Sequence, residues 1–137
     1  MIDLAIHTGE GLVLLRDIAA RQEISEKYLW QLIVPLKTAG LIASVRGSHG
    51  GYRLARDPAT VTLLDIICTL EGPLSIVDCV QYPESCSRAD TCVSRDVWSE
   101  VSDKIQDMLK SLTLADMVER SRGRREMNTG GEEETTE

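Results

Sequence analysis

No apolar run in the 137-residue chain approaches the ~20 residues of a membrane-spanning helix. No basic segment followed by an apolar stretch and a cleavage motif opens it, so nothing marks a secretory signal. The expectation is therefore a cytoplasmic protein with no membrane partner. Paired acid/base residues and a phosphate loop are also missing, and the only histidines are His7 and His49. These absences argue against an enzyme. There is no internal repeat, and none of the four cysteines forms the C-x2-C knuckle common in structural zinc sites.

What is present is one domain's length of ordinary hydrophobic content, 42%. The net charge of −7 conceals a split. Residues 1–56 carry seven Lys and Arg against five Asp and Glu, whereas residues 57–137 carry eight against seventeen. Contact with nucleic acid is electrostatically easy only in the first part.

Periodicity predicts a short apolar helix over residues 2–7, broken by Gly9 and Gly11. An amphipathic helix over 14–22 follows, then a tight turn. Ser25 is an N-cap for a helix over 26–39 with a stripe of Tyr28, Leu29, Leu32, Ile33, Leu36 and Ala39. Pro35 should kink that helix, and Gly40 should end it. IASVR and YRLA then flank GSHGG, a β-hairpin with a glycine-rich tip. Thr62 and Asp65 open a helix to residue 71 in capping-box fashion. A long helix is expected over 95–112, with a short turn capped by Thr113 behind it.

Helix, turn, helix and hairpin in that order form a winged helix-turn-helix. The fold class is mostly α with a small β-hairpin wing. In such a module the second helix enters the DNA major groove. Removing its stripe leaves Glu26, Lys27, Trp30, Gln31, Val34 and Lys37 facing outward. Gln31 suits an adenine edge, and Lys27 a phosphate or guanine. Trp30 either meets a partner or packs under the hairpin. Arg46, His49 and Arg53 give the wing a cationic tip suited to a minor groove.

Cys79, Cys86 and Cys92 lie in a polar loop at C-x6-C-x5-C spacing. A loop interrupted by Pro83 cannot be one helical face, but it can wrap three thiolates around a small inorganic cluster. Zinc, metal-free thiol redox chemistry and an incidental grouping remain open on spacing alone. Cys68 reads as a small core residue, and Tyr82 and Trp98 as cover for the loop.

The stretch SEKYLWQLIVPLKTAGLIASVRGSHGGYRLA resembles the Rrf-two family of bacterial winged-helix transcription regulators. The match falls on Ser25, Tyr28, Leu29, Gln31, Leu32, Gly40, Leu41, Val45, Arg46, Gly47, Gly50, Gly51 and Tyr52, and runs on through TLLDII, LEGPL and the cysteines to TLADM. The resemblance implies a homodimer paired through the long helix, reading a pseudo-palindromic double-stranded DNA operator. It implies that Ser25, Lys27, Tyr28, Trp30, Gln31, Arg46, Gly47, His49, Gly50, Gly51 and Arg53 form the DNA-contacting set. It also implies that Cys79, Cys86 and Cys92 hold an iron–sulfur cluster, 2Fe–2S or 4Fe–4S.

The expected organisation is a DNA-binding domain over residues 1–72, a cluster loop over 73–94, a dimerisation helix with a short terminal helix over 95–119, and a disordered tail over 120–137. The expected function is transcriptional regulation, as a repressor, with operator affinity set by the cluster. One alternative is a cluster-free regulator using thiol modification or a protein partner. Another is a small metal- or electron-carrying protein without DNA binding.

Three departures from the family pattern stand out. Members usually begin with a short basic stretch and the start of the first helix; this chain begins inside that helix, as an internal start would. Trp30 stands where glutamate is common. Arg95 stands where one branch has a ligating histidine, which leaves Asp96, His7 of a partner subunit, a residue of an N-terminal segment or a small molecule as the further ligand.

Overall fold

Local spacing decides most of the elements in the computed structural model, which describes residues 1–129. They fall into two units: residues 1–61 together with the segment from Thr113 onward, and Thr62–Leu112.

In the first unit, helix α1 (Ile2–Ile6) precedes α2 (Leu15–Gln22) and α3 (Glu26–Thr38). Glu23 makes the turn between α2 and α3 in the left-handed region, φ 53°, where glycine or asparagine is usual. Ser25 caps α3 by accepting the Tyr28 N–H at 3.1 Å. The helix runs on through Pro35, and Gly40 follows with φ 72°. Strands β1 (Ile42–Val45) and β2 (Gly51–Leu54) pair antiparallel, Ile42 opposite Leu54 and Val45 opposite Gly51. Val13 adds a third, one-residue rung, exchanging backbone bonds with Tyr52 at 2.9 and 2.8 Å. The core of this unit is Leu4, Val13, Ile18, Leu29, Ile33, Leu36, Leu41, Ile42, Leu54, Val61, Leu114 and Val118.

The stripe expected on α3 needs correction at its edges. Leu29, Ile33 and Leu36 are buried, whereas Tyr28 and Ala39 are exposed. At roughly 100° per residue, Tyr28 sits about a quarter-turn from Leu29, beyond the reach of the core.

The expected boundary at residue 72 also moves. Val61 and Leu114 are both fully buried, and the Leu114 N–H donates to the Val61 carbonyl at 2.8 Å. That bond returns the chain to the first unit as helix α7 (Leu114–Thr129). Thr113 and Asp116 cap it reciprocally, and the Thr113 donors hold the Asp116 carboxyl below its usual range. Residues 120–129, expected as disordered, are helical because α7 lies along α1 and is built from good helix formers such as Arg, Glu and Met. Residues 130–137 of the expected tail lie outside the described residues.

The second unit holds α4 (Leu63–Glu71), α5 (Asp78–Gln81) and α6 (Val93–Ser111). The Thr62–Asp65 capping box expected for α4 is complete. Past Gly72 the chain lies along α6: Gln106 donates to the Leu74 carbonyl at 2.8 Å, and Ser102, buried in α6, accepts from the Ile76 N–H at 3.4 Å. Cys68, expected as core, is only half-buried on α4.

Candidate functional site

On α3 the outward face is as the spacing requires. Lys27, Trp30, Gln31, Val34 and Lys37 are all exposed. Trp30 is 52% and Val34 47% accessible, so neither is packed away under the hairpin. They stand one helical turn apart on one face. Beside them a shallow cleft runs between α3 and the wing, lined by Trp30, Val34, Lys37, Val45, Arg46 and Tyr52.

The wing glycines have internal reasons to be glycine. Gly47 takes φ 117°. A Cβ on Gly50 would run into the Val45 carbonyl, and one on Gly51 would lie 2.8 Å from the Val13 carbonyl. The tip between them exposes Arg46, Ser48 and His49, with Ser48 Oγ 3.0 Å from His49 Nδ1, and Arg53 is exposed on β2.

Beneath the helix-turn-helix lies an ion pair that the sequence does not announce. Asp3 on α1 is buried, and Arg21 on α2 donates to both its oxygens at 2.8 and 2.7 Å. Gln22 donates a third bond at 3.3 Å. The Arg21 hydrogen bonds hold the Asp3 carboxyl below its usual range, against the opposing effect of burial. His7 Nδ1 bonds the Asp3 carbonyl at 2.8 Å, so that nitrogen is engaged inside this unit.

In the second unit the three loop cysteines sit on short turns. Cys79 lies in α5, Cys86 follows the turn Pro83–Ser85, and Cys92 is the N-cap of α6 after the turn Ala89–Thr91. All are free thiols; Cys86 is exposed, and Cys79 and Cys92 are half-buried. Buried Ala89 and the Ala89 N–H bond to the Cys86 carbonyl, 3.1 Å, tether the middle of the loop. Arg95 joins its ends: its guanidinium donates to the Cys79 carbonyl at 2.8 Å and its own N–H to the Cys92 carbonyl at 3.1 Å. Tyr82 and Trp98, expected to cover the loop, are themselves 50% and 42% accessible.

As donors, three unpaired thiols on one loop fit a thiolate-held cluster. Their arrangement is open: among the described residues no group of three His, Cys, Asp or Glu is gathered closely enough to hold a metal ion.

The model of the Rrf-two family, described as iron-dependent transcriptional regulators, matches residues 1–120. The chain belongs to the Rrf-two family. Among its relatives, the HTH-type transcriptional regulator CymR of Bacillus subtilis (strain 168) is 40% identical over 126 residues, 92% of this chain and 86% of the relative. The regulator IscR of Serratia proteamaculans is 39% identical over 118 residues, 86% and 71% of the two chains. The solved structure of T. potens IscR superposes with TM-score 0.71 at 45% identity, over 88% of this chain and 78% of that one. That of B. subtilis CymR, described as the global cysteine regulator, gives 0.73 at 40%, over 87% of each chain.

The winged-helix reading of the sequence is thus the fold of this Rrf-two regulator. Members of the family regulate transcription, bind DNA and typically dimerise; they are not enzymes. Among the described residues, no helix is long and apolar enough to cross a membrane.

Proposed function

We propose that this Rrf-two protein is a dimeric cytoplasmic repressor whose operator affinity is set by an iron–sulfur cluster held by Cys79, Cys86 and Cys92. The observation that carries the reading is the loop itself, which holds three free thiols, one exposed and two half-buried, within one folded unit. The α3 face and the wing supply the DNA contacts. Lys27, Gln31 and Trp30, with Ser25 and Tyr28 at the helix start, meet the major groove. Arg46, His49 and Arg53, around Gly47, Gly50 and Gly51, meet the flanking phosphates and minor groove. Helix α6 supplies the dimer contact. Its Val97, Ile105 and Met108 are 53%, 37% and 63% accessible, an apolar stripe that a second copy would bury. Two recognition helices then face half-sites about one helical turn apart.

When bound, a cluster would tie the three loop segments through iron–thiolate bonds and leave an incompletely thiolate-ligated iron that oxygen, nitric oxide or peroxide can reach. The chain's own part is to close the loop. Ala89 and the Arg95 bonds already hold its middle and ends, and its three thiols would have to gather about the cluster. Operator affinity changes only as far as the closed and open loops differ in it.

A second reading is favoured by the ungathered thiols and by the equal similarity to CymR: the same DNA-binding regulator, with the cysteines acting as metal-free redox groups. Iron and acid-labile sulfide per chain, measured on protein purified without oxygen, decide between the two. Near-equal iron and sulfide, lost in Cys79→Ala, Cys86→Ala or Cys92→Ala, support the cluster. Iron-free protein whose operator binding responds to thiol oxidation would sink it in favour of the second reading.

A further inference from the structure

The exposed face of α3 has an unusual centre for a surface meant to meet DNA. At roughly 100° per residue, Trp30 and Val34 sit between Lys37 on one side and Lys27 with Gln31 on the other. The cations and the amide account for phosphate and hydrogen-bonded readout. The two apolar side chains do not, yet each is about half accessible and both border the cleft toward Arg46. An indole placed against base-edge donors and acceptors would strip their water without replacing its hydrogen bonds. In the major groove one base-edge group is apolar: the C5-methyl of thymine.

We infer that Trp30 and Val34 form an apolar reading site for a thymine C5-methyl in each operator half-site. The inference rests on the DNA-binding part of the proposed function and is independent of what the cysteines hold. Lys37 and Arg46 line the same cleft, so cations suited to backbone phosphates stand beside the apolar pair. The apolar pair therefore selects T·A at its position and disfavours C·G, whose cytosine carries no methyl and presents an amino group that needs an acceptor.

The test removes the methyl and nothing else. An operator is selected from a random duplex pool with the full chain, and each thymine is then replaced in turn by deoxyuridine. Burial of one methyl corresponds to about fourfold in affinity, so both half-sites together give about fifteenfold. One thymine position per half-site should show a loss of about fourfold when replaced singly, and the two replaced together a loss of about fifteenfold. A cytosine placed there should recover part of the affinity when given as 5-methylcytosine. Trp30→Ala should bind the thymine and deoxyuridine duplexes equally, and Val34→Ala should narrow the gap. Because both side chains are exposed, neither variant should lose the fold, which circular dichroism checks. Duplexes that bind equally with and without every methyl overturn the inference while leaving the DNA-binding reading intact. So does a methyl effect undiminished in both variants. Failure to bind any duplex overturns both.

Discussion

Arg21→Ala is the most informative single perturbation of the helix-turn-helix scaffold. Arg21 reaches from α2 to Asp3 on α1 with two hydrogen bonds, at 2.8 and 2.7 Å, onto a carboxylate that is 6% accessible. Removing the arginine leaves a buried charge with Gln22 donating at 3.3 Å and His7 Nδ1 3.5 Å from the carboxylate. Breaking a fully buried pair costs about 3–5 kcal/mol. Arg21 itself is 38% accessible and water can partly replace it, so about 2–3 kcal/mol is expected.

The pH dependence carries the sign. In the native chain the Asp3 carboxyl is held below its usual range, so its contribution is fully present above pH ~4 and is lost as pH falls through the lower folded value. In Arg21→Ala, burial acts unopposed by the guanidinium and the Asp3 carboxyl titrates higher. The deficit should therefore be largest at pH 7 and shrink in acid, as Asp3 becomes neutral. Urea unfolding of both proteins at pH 7 and near pH 3.5 measures this, with Asp3→Asn/Arg21→Ala closing the double-mutant cycle. A loss under about 0.5 kcal/mol at pH 7, the level of an ordinary surface change, would refute the reasoning. So would a loss that does not change with pH.

Gly51→Ala should disrupt the wing, because the new Cβ lies 2.8 Å from the Val13 carbonyl. Operator affinity should fall at least tenfold in a gel-shift titration while the far-ultraviolet helix signal persists. Arg46→Ala, at the exposed wing, should weaken binding to all duplexes alike and reduce the slope of log K against log salt by about one. Arg95→Ala removes the 2.8 Å bond to the Cys79 carbonyl, so alkylation of Cys79 in the metal-free protein should accelerate several-fold while Cys68 is unchanged. Equal rates at Cys79 in both proteins would show that Arg95 does not hold the loop.

Much of this architecture is written in short-range spacing. Ser25 and the Thr62–Asp65 box mark helix starts because their side chains bond backbone groups within three residues. The glycine-rich tip marks a hairpin because only glycine fits φ 117° at Gly47 and the crowded backbone at Gly50. The C-x6-C-x5-C loop was visible for the same reason, since its thiols follow one another along a single segment. The turn between α2 and α3 follows from the end of the first apolar stripe and the Ser25 cap, although no glycine announces the left-handed backbone of Glu23.

What tertiary structure alone decided are the meetings of residues far apart in the chain. Asp3 finds Arg21, and Val13 finds Tyr52, through folding of the whole first unit. Val61 and Leu114 bring α7 back to that unit and order residues that composition had assigned to a tail. Arg95 turns from a missing ligand into the bond that closes the ends of the cysteine loop. Periodicity says that a helix has an apolar face but not how wide the core behind it is. Tyr28 therefore falls outside the buried face, and only the packed structure decides that the hairpin leaves Trp30 uncovered.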